Sequence, residues 1–183
     1  RAVGAASSLS NGTGKTGGAL SLASLDDAVF ELTVSTSTAA TRYFIKGNTT
    51  YNISGNLNIS ASGNLQWPAI IEGYASMRGD RPTGSTRPKL LLSSNSCTWG
   101  NDTSIYSVAF TTTELNGIGA GTGARFVDCS VINKSTSTSA AGFLGNTDST
   151  FYRCEAVCYR GAGIKLAAAG FIDSCYLHDS RIG

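Results

Sequence analysis

The chain has 183 residues, with fourteen Lys plus Arg against twelve Asp plus Glu and a formal charge of +2. That length suits one domain with a real core, and the near-neutral balance implies neither a nucleic-acid nor a membrane partner. Only 14% of residues are charged, and no apolar run approaches the roughly 18 residues that a bilayer span needs.

The chain opens at Arg1 without Met or a signal-like apolar core and stops at Gly183 just after a strand-like segment. Both ends therefore read as limits of a larger protein. Residues 1–18 are rich in Gly, Ser and Ala and are expected to form a flexible leader. Within them Gly12-Thr-Gly-Lys-Thr16 is not a phosphate-binding loop, because Leu9 stands where that motif needs its first Gly. Residues 19–40 read as a short N-terminal capping helix and lead-in. Leu22, Leu25, Ala28, Val29 and Leu32 recur at helical spacing, and Ser24-Leu-Asp-Asp27 resembles a capping box. Such a helix would cover the open apolar end of the first coil downstream.

From residue 41 to 183 the pattern turns to short strands bounded by Gly, Asn and Ser. Segments 42–46, 51–53, 57–59, 69–72, 89–92 and 107–110 read this way, and Leu57, Ile59 and Ala61 alternate as one buried face requires. A repeat then emerges. Phe126, Phe151 and Ile172 are separated by 25 and then 21 residues. The same two offsets relate Cys129, Cys154 and Cys175, then Val131, Ala156 and Leu177, then Gly117-Ile118, Gly142-Phe143 and Gly163-Ile164. Four columns sharing unequal offsets predict stacked coils, with one four-residue longer loop in the rung that joins Cys129 to Cys154. A period of this length with several short strands per repeat is a β-solenoid. The five cysteines fit no closed disulfide framework. Neither they nor the lone His178 have zinc-ligand spacing, so no metal and no cofactor is expected. The Cys column reads as an inward, reduced ladder.

Two passages carry a resemblance. Phe44-Ile-Lys-Gly-Asn-Thr-Thr-Tyr51-Asn-Ile-Ser-Gly looks like an opening coil. Pro68-Ala-Ile-Ile-Glu-Gly-Tyr74, with Arg78-Gly-Asp80-Arg-Pro82 and Arg87-Pro88, looks like the coil after it. Together they resemble the pectate-lyase-like right-handed parallel β-helix superfamily, including virion spikes, tail fibres and bacterial surface proteins. The resemblance implies an all-β, right-handed parallel β-helix located outside the cell or on a virion. It also implies self-association, often as a trimer, within a larger assembly. It does not fix a role, since this fold hosts enzymes, adhesins and inert rods alike.

On such a scaffold, reacting groups would stand side by side on the aligned columns. Asp128 aligns with Arg153 and Ser174, Ser130 with Glu155 and Tyr176, and Asn133 with Cys158 and Asp179. None of these columns stacks the two carboxylates a glycosidase needs, so no catalytic residue is assigned. Arg153, Glu155, Tyr176, His178 and Asp179 are the expected contacts for a host or environmental glycan. The alternative is the N-terminal part of a secreted polysaccharide lyase or glycoside hydrolase. Arg78-Gly-Asp80 reads as a structured turn rather than a receptor motif. Asn11, Asn48, Asn52, Asn58, Asn101 and Asn133 stand in Asn-x-Ser/Thr sequons, relevant only in a eukaryotic secretory host.

Overall fold

A computed structural model of the chain describes residues 19–20, 30–31, 41–53, 57–59, 69–77, 79–93 and 97–179. Every strand pairing among them is parallel, and the chain visits three sheets in rotation. The first sheet holds, in order, β1 (Ala19–Leu20), β3 (Thr41–Lys46), β6 (Ala69–Tyr74), β9 (Thr103–Tyr106), β12 (Arg125–Val127), β15 (Ser149–Tyr152) and β18 (Gly170–Asp173). The second holds β4 (Thr50–Asn52), β7 (Lys89–Leu91), β10 (Ala109–Thr112), β13 (Ser130–Asn133), β16 (Glu155–Cys158) and β19 (Tyr176–Asp179). The third holds β2 (Phe30–Glu31), β5 (Leu57–Ile59), β8 (Cys97–Trp99), β11 (Ile118–Ala120), β14 (Ala141–Gly145) and β17 (Ala162–Leu166). One strand from each sheet makes a coil, and the coils stack as a parallel β-solenoid.

The predicted columns are the observed register. Phe126 lies beside Phe151 and Phe151 beside Ile172. Val131, Ala156 and Leu177 align in the second sheet, and Ile118, Phe143 and Ile164 in the third. The four-residue difference falls in the turn Lys134–Ala140, between β13 and β14. Asn133 closes that turn. Its buried Nδ2 donates to the carbonyls of Glu114 at 2.7 Å and Ala141 at 2.5 Å, and its Oδ1 accepts from Ser135 N at 2.8 Å.

Inward side chains fill the space between the sheets. Phe126, Phe143 and Phe151 form a fully buried cluster with centroids 5.2 to 5.4 Å apart, the rings of Phe126 and Phe151 stacked like on like. Trp99 packs edge-on against Phe110 and Phe126 from the preceding coil. Such pairs add to the burial of large apolar side chains, which supplies the main driving force. The glycine column marks where coils touch backbone to backbone: a Cβ on Gly142 would stand 2.5 Å from the carbonyl oxygen of Gly163.

The Cys column is inward as predicted, and all five thiols are free. The column has more structure than an apolar ladder. Each thiol donates to the carbonyl of the first-sheet residue one coil back: Cys129 to Ile105 at 3.5 Å, Cys154 to Phe126 at 3.4 Å and Cys175 to Phe151 at 3.3 Å. The residue before each member of that column, and before Val108 one coil earlier, turns the corner between the first and second sheets. Ser107, Asp128, Arg153 and Ser174 all hold φ between 50° and 55° there.

The region expected as a capping helix is described only in part. Ala19–Leu20 pairs with Phe44–Ile45, and Phe30–Glu31 pairs with Leu57–Asn58, so these four residues are extended and joined to the sheets. The rest of that helix and the 1–18 leader lie outside the described residues. The α-helix is absent among the described residues, where a single 3-10 turn, Gly84–Thr86, interrupts the strands. It belongs to the loop between β6 and β7, which Asp80 organises. The Asp80 carboxylate accepts from the backbone N–H of Ala75, Ser76 and Met77 at 2.8 to 3.2 Å and from Ser76 Oγ at 3.1 Å. The Arg-Gly-Asp tripeptide thus contributes its Asp to a turn.

Candidate functional site

Outward residues alternate with the core residues along the strands, and four features of that outer surface bear on chemistry. The first is the corner at Arg153. Its guanidinium forms a bidentate pair with Asp128, Nε to Oδ1 at 2.8 Å and Nη2 to Oδ2 at 2.6 Å, and lies 4.7 Å above the Tyr152 ring. That hydrogen bond and the adjacent charge hold the guanidinium even more firmly in its protonated form. Arg153 is therefore engaged by its own column neighbour.

The second place is the outer face of the second sheet. Glu155 and Tyr176 occupy neighbouring rungs of one column, and His178 stands one column over. His178 Nε2 is 3.4 Å from Glu155 Oε1, and its ring meets Tyr176 edge-on at 4.1 Å. The structure thus brings together three of the five residues expected to contact a glycan, with Arg153 at the neighbouring corner. Asp179 takes the register position of Asn133 and Cys158, both of which are buried in their own coils. The patch lies on an open sheet face.

The third place is a trough of about 310 Å³ on the third sheet, to which no repeated column of the sequence points. The outer column of that sheet reads Thr98, Gly119, Leu144 and Lys165 in register. Gly119 leaves a notch: a Cβ there would make only ordinary contacts, 3.5 Å from the Cys97 carbonyl oxygen and from Thr98 Oγ1, so the position has room for a side chain that the sequence does not supply. Glu114 and Asn116, on the turn entering the sheet, form one wall; Asn146 and Ala167, on the turns leaving it, form the other. The Glu114 backbone is pinned from both sides, its N–H donating to Thr112 Oγ1 at 3.0 Å and its carbonyl accepting from Asn133. Asn146 is fixed through its Oδ1, which accepts from Thr147 N at 2.9 Å, and its backbone N–H, which donates to Ser149 Oγ. The trough thus offers amide donors, a hydroxyl, one carboxylate and the apolar side of Leu144, with no basic side chain in its lining.

A fourth feature is also absent from the sequence-derived columns, although it obeys the same offsets of 21 and 25. The turns from the third sheet to the first share a left-handed position at Asp102, Gly123 and Asp148, with φ of 49°, 68° and 57°. The Asp102 carboxylate occupies the space a side chain on Gly123 would need. Asp102 and Asp148 are thus two rungs apart, about 9.6 Å at the usual strand spacing. The columns that start from Phe126 hold no such pair.

Two further aromatic side chains are already engaged: Trp99 is fully buried in the core, and Tyr106 lies beneath the guanidinium of Arg81 at 4.7 Å. Asn133, one of the sequon asparagines, is fully buried and cannot carry a glycan in the folded chain. Among the described residues no group of three or more His, Cys, Asp or Glu side chains is placed to hold a metal ion. Fold and surface together define a parallel β-solenoid with a trough of mixed polar and apolar lining on one sheet. No protein-family model, no curated protein and no solved structure matches the chain.

Proposed function

We propose that this chain is a segment of a right-handed, pectate-lyase-like β-helix in an extracellular or virion surface protein, a rigid rod that binds glycan in the trough of its third sheet. The observation that carries this reading is the notch at Gly119, walled by Glu114 and Asn116 on one side and Asn146 on the other, on a scaffold of stacked coils. Concavity favours the trough over the open patch at Glu155, Tyr176 and His178, because ligands bind where they lose most of their exposed surface. Glu114 is the one charged residue in the lining, so neutral or amino-bearing sugars fit better than uronates, whose carboxylates would meet a like charge.

The test is a glycan array probed with the chain and with Gly119→Leu. A Cβ at 119 comes no closer than 3.5 Å to its neighbours, so the first added atom is accommodated at the floor of the notch. Binding of neutral or amino sugars by the parent, lost in the variant at an unchanged melting temperature, supports the reading. Absence of binding by the parent, or equal binding by both, removes it.

The pair Asp102 and Asp148 favours a second reading, glycoside hydrolysis. Inverting glycosidases place their carboxyl groups roughly 6.5 to 9.5 Å apart to admit a water, a range that backbones two rungs apart reach when the side chains lean together, as the Asp102 carboxylate does toward Gly123. New reducing ends, abolished by Asp102→Asn or Asp148→Asn alone, would establish it.

A further inference from the structure

The outer face of the second sheet has a symmetry that the glycan reading does not use. Its six strands run β4, β7, β10, β13, β16, β19, so the midline falls between β10 and β13. Along one outer column the register reads Thr50, Lys89, Ala109, Ser130, Glu155, Tyr176. Along the other it reads Asn52, Leu91, Thr111, Ile132, Val157, His178. A cation and an anion thus stand at equal distances on opposite sides of the midline. Small residues lie between them, and an aliphatic and Thr stripe runs alongside. Ile132, beside the midline, is 40% exposed, and Lys89 and Glu155 are exposed as well.

We infer that this face binds a second copy of the chain, related by a two-fold axis lying in the interface and parallel to the strands. Rotation about that axis reverses the order of the rungs but keeps each column opposite itself. Lys89 of one copy then faces Glu155 of the other, twice by symmetry. Leu91 faces Val157, Thr111 faces Ile132, and Ala109 faces Ser130, whose small side chains let the sheets approach. A two-fold interface must be self-complementary in this way. Within one chain the two charges gain nothing from each other: they are three rungs apart, about 14 Å, beyond the screening length at physiological salt. The trough, on a different sheet, stays open in both copies.

Size sets the strength. Six rungs of about 4.8 Å by four residues of about 3.3 Å give roughly 400 Å² per partner. That is at the small end for a specific contact, so the dimer is weak and concentration-dependent.

Sedimentation velocity of the 183-residue chain, from about 10 μM to about 1 mM, tests the inference. The parent is expected to shift from monomer toward dimer over that range, and less so in high salt. Lys89→Glu and Glu155→Lys, each alone, are expected to weaken association about tenfold or more. The double exchange K89E/E155K is expected to restore it to within about threefold, since the reversed pair attracts again. Restoration also shows that the single variants were folded. A parent that stays monomeric, single variants that associate like the parent, or a double exchange that fails to recover would each overturn the inference.

Discussion

Phe126→Ala tests whether the stacked columns carry the stability of the fold. Phe126 has no exposed surface and meets Phe143 at 5.2 Å, Phe151 at 5.4 Å and Trp99 at 6.4 Å, so it joins three consecutive coils. Truncating a buried Phe costs about 3 to 5 kcal/mol through lost transfer energy and the cavity left behind. With partners held on three sides by neighbouring rungs, collapse into the hole is restricted, and about 4 to 5 kcal/mol is expected. The adjacent Val127 points outward and is half-buried; Val127→Ala is expected to cost under about 1 kcal/mol. Urea unfolding at 25 °C, followed by the fluorescence of buried Trp99 and by circular dichroism, separates the two variants. A cost below about 2 kcal/mol for Phe126→Ala, or an equal cost for Val127→Ala, would refute the assignment of stability to this column.

Three further outcomes rest on the polar groups. Burial pulls the Asp80 pKa upward, but the donors at Ser76, Ala75 and Met77 outweigh it and hold the carboxyl below its usual range. Its folded value thus lies below its unfolded one: its stabilisation is present above the unfolded pKa and lost as pH falls through the folded pKa. Hydrogen-exchange protection at Ala75 to Met77, taken relative to the intrinsic rate at each pH, should fall on acidification below about pH 4, and Asp80→Asn should show that loss of protection already at pH 7. Burial raises the thiols of Cys97 and Cys129, the latter to about 12, whereas the half-buried Cys175 is lowered to about 7 through its hydrogen bond with Cys154. Iodoacetamide at pH 7.5, read by mass spectrometry, should therefore label Cys175 first; labelling of Cys129 at a similar rate in the folded chain would contradict the inward ladder. Asn133→Ala removes the Nδ2 donor from the carbonyls of Glu114 and Ala141; Gly117 N still donates to Glu114 at 3.2 Å, so a cost of about 1 to 3 kcal/mol is expected. Trypsin should then cut after Lys134 faster than in the parent.

Much of the fold was legible because a solenoid repeats its own constraints. Inward positions at 126, 129 and 131 meet the same neighbours as those at 151, 154 and 156, so the sequence shows like residues at fixed offsets. The earlier coils hid their register. In the first sheet Arg42 aligns with Ile70 and Ile70 with Ser104, offsets of 28 and 34, because a long loop lies between β6 and β7. The strand expected over Ser107–Phe110 also starts later than its residue types suggest. Ser107 holds φ of 55° at the corner, and the strand opens at Ala109. The trough was missed because it is defined by a missing side chain: Gly119 beside Gly117 looks like turn chemistry, and only the register shows one as a turn and the other as the floor of a groove. The Asp102 and Asp148 column obeys the same offsets, but it begins upstream of Gly117, where the repeated columns start, and Gly123 stands between its two acids.

The turn Lys134–Ala140 is four residues longer than its equivalents, yet the columns on either side of it remain aligned. Length at this corner is uncoupled from the ladder, which makes the scaffold a ruler. A foreign peptide spliced between Lys134 and Ala140 would project at a fixed height along the rod, and moving it to the matching corner of the next coil would raise it by one rung, about 4.8 Å. Variation of such a chain over evolutionary time should accordingly gather at its corners.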